Sequence, residues 1–351
     1  MNVKLLACLL FWPFAALGQG FAGLGTTADG FSVPERGTAF DFPADHGAHP
    51  TYRIEWWYVT ATLQDADGND YGIQWTLFRS ALAAQEGEGW SSPQLWMGHA
   101  ALTSADEHHF EERFGRGDIG QAGAETEPFS VWIDEWAMES TGADGDALDA
   151  INLRAGSDEF AYNLTLEADG PLVFHGDDGY SVKSSEGQAS YYYSQPFYDV
   201  SGEITLPNRI ISVSGSAWLD REYSSQPLSE TQTGWDWFSL HFDTGDRLMA
   251  FQLRDTEGKT FTSGTWIATD GTTEALANGS ITATPLGETD VAGRDVPVRW
   301  RLEVPERGVD IETEPLNDQS WNASIFAYWE GPISVTGSHQ GRGYLEMTGY
   351  E

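Results

Sequence analysis

The chain has 351 residues, enough for two domains of ordinary size, and 40% of them are hydrophobic, including 15 Trp. It carries 54 acidic against 18 basic residues, a formal net charge of −36. Nucleic acid and anionic membrane surfaces would repel such a chain, so both are excluded as partners. The aromatic residues and the 39 Gly favour sheets and ligand cavities over long helices.

Residues 1–18 are predicted to be a secretory signal peptide. Lys4 precedes an apolar run over residues 5–17, and small residues before Gln19 fit cleavage near Gly18. The run is too short to span a membrane, and no later segment reaches spanning length. We therefore predict an exported protein, periplasmic or secreted, without stable membrane insertion. The single cysteine, Cys8, lies in the signal, so the mature chain is expected to have no thiol or disulfide.

An irregular lead over residues 19–50 is followed by segments with a period of two. The segments 53–63 and 71–82 alternate around Asp67-Gly68, which is typical of a β-hairpin. The same arrangement recurs from residue 235, with turns at Thr244-Gly245 and Glu257-Gly258. No amphipathic helix longer than about three turns is predicted. The pattern indicates an all-β, antiparallel chain.

A polar segment interrupted by Pro227, residues 225–234, is the best candidate for a linker between two domains. It separates residues 51–224 from residues 235–351. Each part has enough strands to close a barrel or a sandwich, which is how an all-β chain usually disposes of its sheet edges. Periodicity alone fits both two consecutive barrels and one larger sandwich.

Several motifs carry a resemblance to a known family. They are DFPADHGAHPTYRIEWWYVTATL (41–63), MGHAALT (97–103), YYYSQP (191–196), GSAWLDREYSSQ (215–226), GWDWFSLHF (234–242), VPVRWRLEVP (296–305) and GRGYLEMTGYE (341–351). In this order they resemble the AttH/CrtC family, secreted lipocalin-like proteins related to carotenoid 1,2-hydratase. The resemblance covers essentially the whole mature chain. It implies two consecutive lipocalin-like antiparallel β-barrels, residues 51–224 and 235–351.

The resemblance also implies two classes of function. The family includes hydratases that add water to the terminal double bond of acyclic carotenoids, and it is similar to fungal pericyclases. Many bacterial members accompany ABC-type permease components. We expect a hydrophobic, isoprenoid or lipid-like ligand. The protein is then either a hydratase or isomerase that uses a carboxylic acid and no cofactor, or a non-catalytic ligand carrier or accessory component of an ABC-type export system.

Asp220 is the candidate proton donor. Hydration of an alkene needs a neutral carboxylic acid in an apolar site and aromatic faces around the cation that forms. Alternation along the strand puts Trp218 and Asp220 on one face, with Leu219 and Arg221 on the other. In the resembling hydratases the donor is an Asp that maps onto Asp220, preceded two residues earlier by Tyr where this chain has Trp218. We predict that Asp220 donates the proton and Trp218 stabilises the cation.

A structural interpretation of Asp220 stays open beside the catalytic one. Asp220, Arg221 and Glu222 form a charged stretch, with Arg53 and Arg79 available as further partners. Such residues can make an ion-pair cluster where the first barrel meets the second. Glu55, an acid beside Trp57, allows the same two interpretations.

The remaining candidates are aromatic residues and histidines. Trp235, Trp237 and His241 fall on one face of their strand, so His241 is a candidate second acid or base, with a hydrogen-bonded wall residue as the alternative. Asp45, His46 and His49 are predicted to belong to a loop crossing the barrel mouth, and residues 65–70 to a hairpin turn, so no metal is expected. The predicted ligand-binding residues are Trp56, Tyr58, Trp75, Trp235 and Trp237.

Overall fold

The computed structural model describes residues 21–85, 87–142 and 145–350. The predicted signal peptide and Cys8 lie outside the described residues. Two antiparallel sheets account for nearly all of the regular structure, one curled into a barrel and the other into a half-barrel. The predicted fold class, all-β with two lipocalin-like units, is confirmed. Within the described ranges, four short 3₁₀ helices cover Phe21–Gly23, Ala44–His46, Gly89–Ser91 and Pro305–Arg307.

The first sheet is built from the N-terminal part of the chain. Its main path runs in the order β4-β3-β2-β1-β13-β12-β9-β8-β7-β6-β5, with β10 and β11 paired to β12. The strands are β1 (Ile54–Asp65), β2 (Asp70–Ala81), β3 (Gln94–Ser104), β4 (His108–Arg116), β5 (Ala122–Thr126), β6 (Phe129–Ile133), β7 (Trp136–Ser140), β8 (Ala150–Gly156), β9 (Ala161–Ala168), β10 (Val173–Phe174), β11 (Tyr180–Val182), β12 (Ala189–Leu206) and β13 (Arg209–Ser224).

The second sheet follows, in the order β17-β16-β15-β14-β25-β24-β22-β21-β18, with β23 paired to β24. Strands β19 and β20 form a separate two-stranded ribbon. The bounds are β14 (Gln232–Phe242), β15 (Arg247–Asp255), β16 (Thr260–Ile267), β17 (Thr273–Leu276), β18 (Thr282–Pro285), β19 (Thr289–Val291), β20 (Arg294–Val296), β21 (Trp300–Val304), β22 (Val309–Pro315), β23 (Trp321–Asn322), β24 (Tyr328–Gly337) and β25 (Gly341–Thr348).

The predicted hairpins form where the turn residues placed them. Strands β1 and β2 pair antiparallel, and the Asp65 carboxylate accepts the backbone N–H groups of Asp67 and Asn69 in the turn between them. Gly68 adopts a φ of 84°, a conformation in which a side chain would be strained. Residues 65–70 are thus a hydrogen-bonded turn, as predicted.

Alternation along the strands gives each sheet an inner and an outer face. On β1, Trp57 and Val59 belong to the core of the first sheet, whereas Tyr58 points the other way, into a hydrophobic cluster between the sheets. On β13, Leu219 lies in the core and Trp218 in the cluster between the sheets. The outer faces of β1 and β13 therefore meet the second sheet.

The two sheets approach each other closely at Gly72 on β2. A Cβ at this position would lie 2.6 Å from the Pro332 ring and 2.6 Å from the Tyr344 hydroxyl of the second sheet. Residues of the lead and of the predicted linker also contact this interface: Leu24 and Leu228 pack in the cluster between the sheets. No helix in the described ranges is long and apolar enough to cross a membrane.

A buried ion cluster lies inside the first sheet and centres on Glu55. Its carboxylate accepts hydrogen bonds from Arg79 and Arg221, and all three side chains are at most 1% exposed. Burial alone would raise the pKa of Glu55, but the two guanidinium groups hold that pKa well below its ordinary value. Glu55 is therefore an ionised structural residue, and the ion-pair interpretation applies to it. Its partners are Arg79, one of the two residues expected, and Arg221.

Candidate functional site

A cavity of about 270 Å³ lies between the two sheets. Strands β1, β2, β3, β12 and β13 form one wall, and β14, β15, β24 and β25 form the other. The N-terminal lead and the linker, through Leu24 and Leu228, close part of the rim. The structure brings together here five of the residues singled out from sequence, namely Trp56, Tyr58, Asp220, Trp235 and Trp237.

Strand register explains how the first wall acquires its polar groups. Across β12, β13, β1, β2, β3 and β4, six residues are consecutive cross-strand partners on the face turned toward the second sheet. Side chains in such a row stand next to one another, so acids, hydroxyls and an imidazole converge from segments far apart in sequence. The row consists of Ser194, Asp220, Tyr58, Thr76, His99 and Glu112.

The second wall carries a matching row on β14, β25 and β24, formed by Trp237, Glu346 and Glu330. Hydrogen bonds join the two walls. The Tyr58 hydroxyl donates to Glu330 Oε1 at 2.5 Å. The indole N–H of Trp237 donates to the Tyr192 hydroxyl at 3.1 Å. These bonds fix the relative position of the walls around the cavity.

Asp220 is held by three neutral donors. The Tyr192 hydroxyl donates to Oδ2 at 2.5 Å, while the Trp218 indole donates to Oδ1 at 2.6 Å and the Ser194 hydroxyl also donates to Oδ1. The residue is 4% exposed and lines the cavity. Burial raises the pKa of Asp220 from 3.8 to about 7, although the three hydrogen bonds lower it. Asp220 can therefore hold a proton near neutral pH.

The lysine on the cavity wall, Lys183, already has an anionic partner. Lys183 Nζ lies 2.9 Å from Glu222 Oε1, and it sits 4.5 Å from the ring centroids of Tyr192 and Phe251. Glu222 therefore takes the ion pair, while the partners of Asp220 are hydroxyl and indole groups. Of the two interpretations of Asp220, the geometry favours an acid on a cavity wall over a member of an ion-pair cluster.

The raised pKa of Asp220 has a consequence for stability. A folded-state pKa of about 7, above the ordinary 3.8, gives stability that is complete below pH 3.8 and lost as the pH rises through 7. At about 1.4 kcal/mol per pH unit this loss is about 4 kcal/mol. We expect Asp220→Asn to gain stability relative to wild type by about that amount between pH 4 and pH 8. Urea denaturation of both proteins across this range checks the prediction, and parallel curves would contradict it.

Two further carboxyl groups belong to the second wall. Glu346 lines the cavity and accepts a hydrogen bond from the Trp235 indole, and burial raises its pKa to about 7, with the charges of Asp220 and Glu222 adding to the rise. Burial and the neighbouring Glu346 charge raise the pKa of Glu330 well above its ordinary value. The protonated form of Glu330 is therefore favoured relative to that of an ordinary glutamate.

Three predicted residues, Trp218, His241 and Trp75, lie outside the lining of this cavity. Trp218 is buried behind Asp220 and positions its carboxyl through the indole N–H. His241 stacks on Trp218 at 5.7 Å and bonds Ser216, beyond the lining of the cavity. Burial and the Arg247 charge lower the pKa of His241 to about 3, so it is neutral and unsuited as an acid. These findings correct its candidate role as second acid or base.

The predicted ligand-binding role of Trp75 is also corrected. It faces inward from β2 into the core of the first sheet, where it is fully buried. The alternate β2 residues, Thr76 and Phe78, are the ones that line the cavity. Trp75 therefore contributes packing to the first sheet rather than a wall of the cavity.

The acidic and histidine residues of the N-terminal loop are tied to the protein itself. His49 lies 3.0 Å from both Asp45 and Glu55, and His46 Nδ1 lies 2.8 Å from the Tyr193 hydroxyl. Within residues 21–85, 87–142 and 145–350 no group of three or more His, Cys, Asp or Glu is arranged to hold a metal ion. The loop thus anchors the lead to the first sheet.

Sequence reasoning missed several wall residues. Tyr192 and Ser194 lie in YYYSQP, whose alternation puts them on one face, but nothing in the sequence indicates that this face meets Asp220. Glu346 gives a clearer signal, because it interrupts an apolar strand, Tyr344-Leu345-Glu346-Met347. An acid at such a position is costly to bury unless it is partnered or functional.

The comparisons with known proteins agree with this architecture. The AttH-like family model matches residues 33–350. A crystal structure from Nitrosomonas europaea, provisionally designated AttH, is 32% identical, with a TM-score of 0.81, and the match covers 92% of this chain and all of that one. No curated protein matches the chain significantly.

Two more distant structures share the fold. Kievitone hydratase from Nectria haematococca is 16% identical with a TM-score of 0.64, over 90% of this chain and 97% of that chain. CghA, solved with Sch210972, is 11% identical with a TM-score of 0.55, over 93% of this chain and 97% of that chain. From the match over residues 33–350 and the 32% identical structure, the chain belongs to the AttH-like family.

Proposed function

We propose that this protein is an exported, cofactor-free hydratase or isomerase of a carbon–carbon double bond in a compact hydrophobic, isoprenoid-like ligand. The observation that carries the proposal is the environment of Asp220: a buried carboxyl on an aromatic cavity wall, with neutral hydrogen-bond partners and a pKa of about 7. A carboxylic acid of this kind is what protonation of an unactivated alkene requires.

The proposed reaction begins with proton transfer. Asp220 Oδ1 already accepts two hydrogen bonds, so we place the acidic proton on Oδ2. The alkene π electrons take this proton at the less substituted carbon, forming a C–H bond and a tertiary cation and leaving the carboxylate. The ring faces of Trp56, Tyr58 and Trp237 on the cavity walls stabilise that cation.

The fate of the cation decides the product. A water oxygen that bonds to it and then loses a proton gives a tertiary alcohol, which is hydration. Loss of a neighbouring proton instead gives an isomeric alkene. A site with apolar walls limits the number of waters, and the cavity volume of about 270 Å³ suits a ligand at the small end of the range for small-molecule sites.

The test uses isoprenoid alcohols of increasing length, geraniol, farnesol and geranylgeraniol, incubated with the wild-type protein in D₂O. We expect at least one to yield a tertiary alcohol or an isomer with deuterium on the former alkene carbon, detected by mass spectrometry and NMR. If none incorporates deuterium, the enzymatic proposal fails. Quenching of tryptophan fluorescence by the same probes would then indicate a binding function without chemistry.

A further inference from the structure

We propose that Glu346 is the second catalytic residue of this cavity: its carboxylate takes the proton from the water that attacks the cation formed by Asp220. This inference rests on the proposed function and assigns the partner group that hydration requires. It places the acid on the first sheet and the base on the second, with the ligand between them.

Position is the first support. Glu346 lies on β25 and lines the cavity from the wall opposite Asp220. Its cross-strand partner on β14 is Trp237, whose indole donates to Tyr192, and Tyr192 in turn donates to Asp220. This short chain of contacts puts both carboxyl groups in the same part of the cavity. Glu346 is also more exposed than Asp220.

Charge is the second support. Both groups titrate near pH 7, and the charge of Asp220 raises the pKa of Glu346. Two such carboxyls titrate as a pair, and near neutral pH the singly protonated states, with the proton on either carboxyl, are favoured because two anions repel. The form with Asp220 protonated and Glu346 ionised contains the acid and the base that addition of water uses.

The other titratable groups around Glu346 do not fit the role. Glu330, its cross-strand partner on β24, lies outside the cavity lining and is bonded to Tyr58, while Glu222 is paired with Lys183. The remaining neighbour, Trp235, donates its indole N–H to Glu346 and fixes the orientation of the carboxyl. Glu346 is therefore the cavity carboxyl left to accept a proton.

Atoms and charges balance over the proposed steps. Asp220 gives its proton to carbon, the water oxygen forms the C–O bond, and one water proton passes to Glu346. The products are the alcohol, an ionised Asp220 and a protonated Glu346. The free enzyme returns to its starting state when Glu346 releases a proton to solvent and Asp220 takes one up, so no other reactant is needed.

The test compares Glu346→Gln with wild type and with Asp220→Asn, using whichever isoprenoid alcohol the wild type converts in D₂O. We expect Glu346→Gln to lower alcohol formation by about 10²-fold, while deuterium still enters the alkene or its isomers because the cation forms and collapses by losing a proton. Asp220→Asn should incorporate deuterium about 10²–10⁴-fold more slowly than wild type. Glu167→Gln, at an exposed position on β9, is the matched control and should behave as wild type.

The outcomes separate this inference from the function it rests on. Alcohol formation by Glu346→Gln at the wild-type rate overturns the role of Glu346 and leaves Asp220 as the acid. Absence of deuterium incorporation by the wild type overturns both, because no cation then forms. Loss of both deuterium incorporation and alcohol in Glu346→Gln would also overturn it, since Glu346 would then be needed for protonation.

A measurement without ligand gives an independent check. Carboxyl-¹³C NMR titration should show the pKa of Glu346 falling in Asp220→Asn, because that variant removes the charge that raises it. The matched control Asp199→Asn, at an exposed position on β12, should leave the Glu346 titration unchanged. A Glu346 titration that ignores Asp220→Asn would show two unlinked carboxyls and overturn the proposal.

Discussion

Asp220→Asn should lower conversion of the isoprenoid probe by about 10²–10⁴-fold, the range that general acid catalysis usually contributes. Asn has nearly the same shape, so the aromatic cavity and the hydrogen bond from Trp218 to Oδ1 can persist. It has no acidic proton to give to carbon, and the first step is therefore blocked. The rates of alcohol formation and of deuterium incorporation at saturating probe measure the effect.

The control for this prediction is Asp199→Asn, an exposed carboxylate on β12 that should retain wild-type rates. Because the pKa of Asp220 is about 7, the wild-type rate should also fall as the pH rises above that value and the donor loses its proton. A variant Asp220→Asn that converts the probe as wild type does, with the same pH profile, would remove this carboxyl from the mechanism.

Glu55→Gln should destabilise the folded protein by about 3–5 kcal/mol, the usual result of removing one partner of a buried ion cluster. The variant leaves Arg79 and Arg221, both 1% exposed, buried without the carboxylate that they share. The free energy of unfolding from urea titration, with unchanged slope, measures the effect. Glu167→Gln on the exposed face of β9 is the control.

The stability that Glu55 contributes depends on pH with the opposite sign to the contribution of Asp220. A pKa held below its ordinary value contributes stability that is present above the unfolded pKa of 4.5 and is lost as the pH falls through the folded value. Wild type should therefore lose its advantage over Glu55→Gln in acid. A variant as stable as wild type at pH 7 would show that the ion cluster is dispensable.

The period-two alternation along the strands predicted much of this fold. The alternation that put Trp218 and Asp220 on one face of β13, and Trp235 and Trp237 on one face of β14, is the alternation observed, because the side-chain period of a strand is fixed. The turn at Asp67-Gly68 likewise fixed the register of β1 and β2. Local geometry of this kind depends on neighbouring residues only.

The sequence could not tell which face of a strand points inward. Strand β1 carries an aromatic residue on both faces, Trp56 on one and Trp57 on the other, and hydrophobicity does not separate a barrel core from a cavity wall. That ambiguity is why Trp75 was predicted to bind ligand although it packs inside the first sheet. The facing of the two sheets, which brings Glu346 opposite Asp220, depends on contacts between residues far apart in sequence, such as Tyr58 with Glu330.

The ion-pair partners of Glu55 were likewise predicted only in part. Sequence named Arg53 and Arg79 as partners for Glu55, and the structure selects Arg79 together with Arg221 from β13. Arg53 instead donates to the backbone carbonyls of Thr26 and Thr27 in the N-terminal lead. A charge on a strand can find a partner on either neighbouring strand or on a loop, and strand order is a property of the whole chain.

The cavity has a wall from each sheet and a rim from the segment that connects them, through Pro227 and Leu228. This cavity belongs to neither half of the protein by itself. Occupancy of the cavity and association of the halves are therefore linked: a ligand that binds only when both walls are together stabilises their association by an amount that grows with its free concentration relative to its Kd. A bound ligand therefore holds the two sheets together. A substitution that weakens the contacts between the sheets weakens ligand binding, even where no residue touching the ligand is changed.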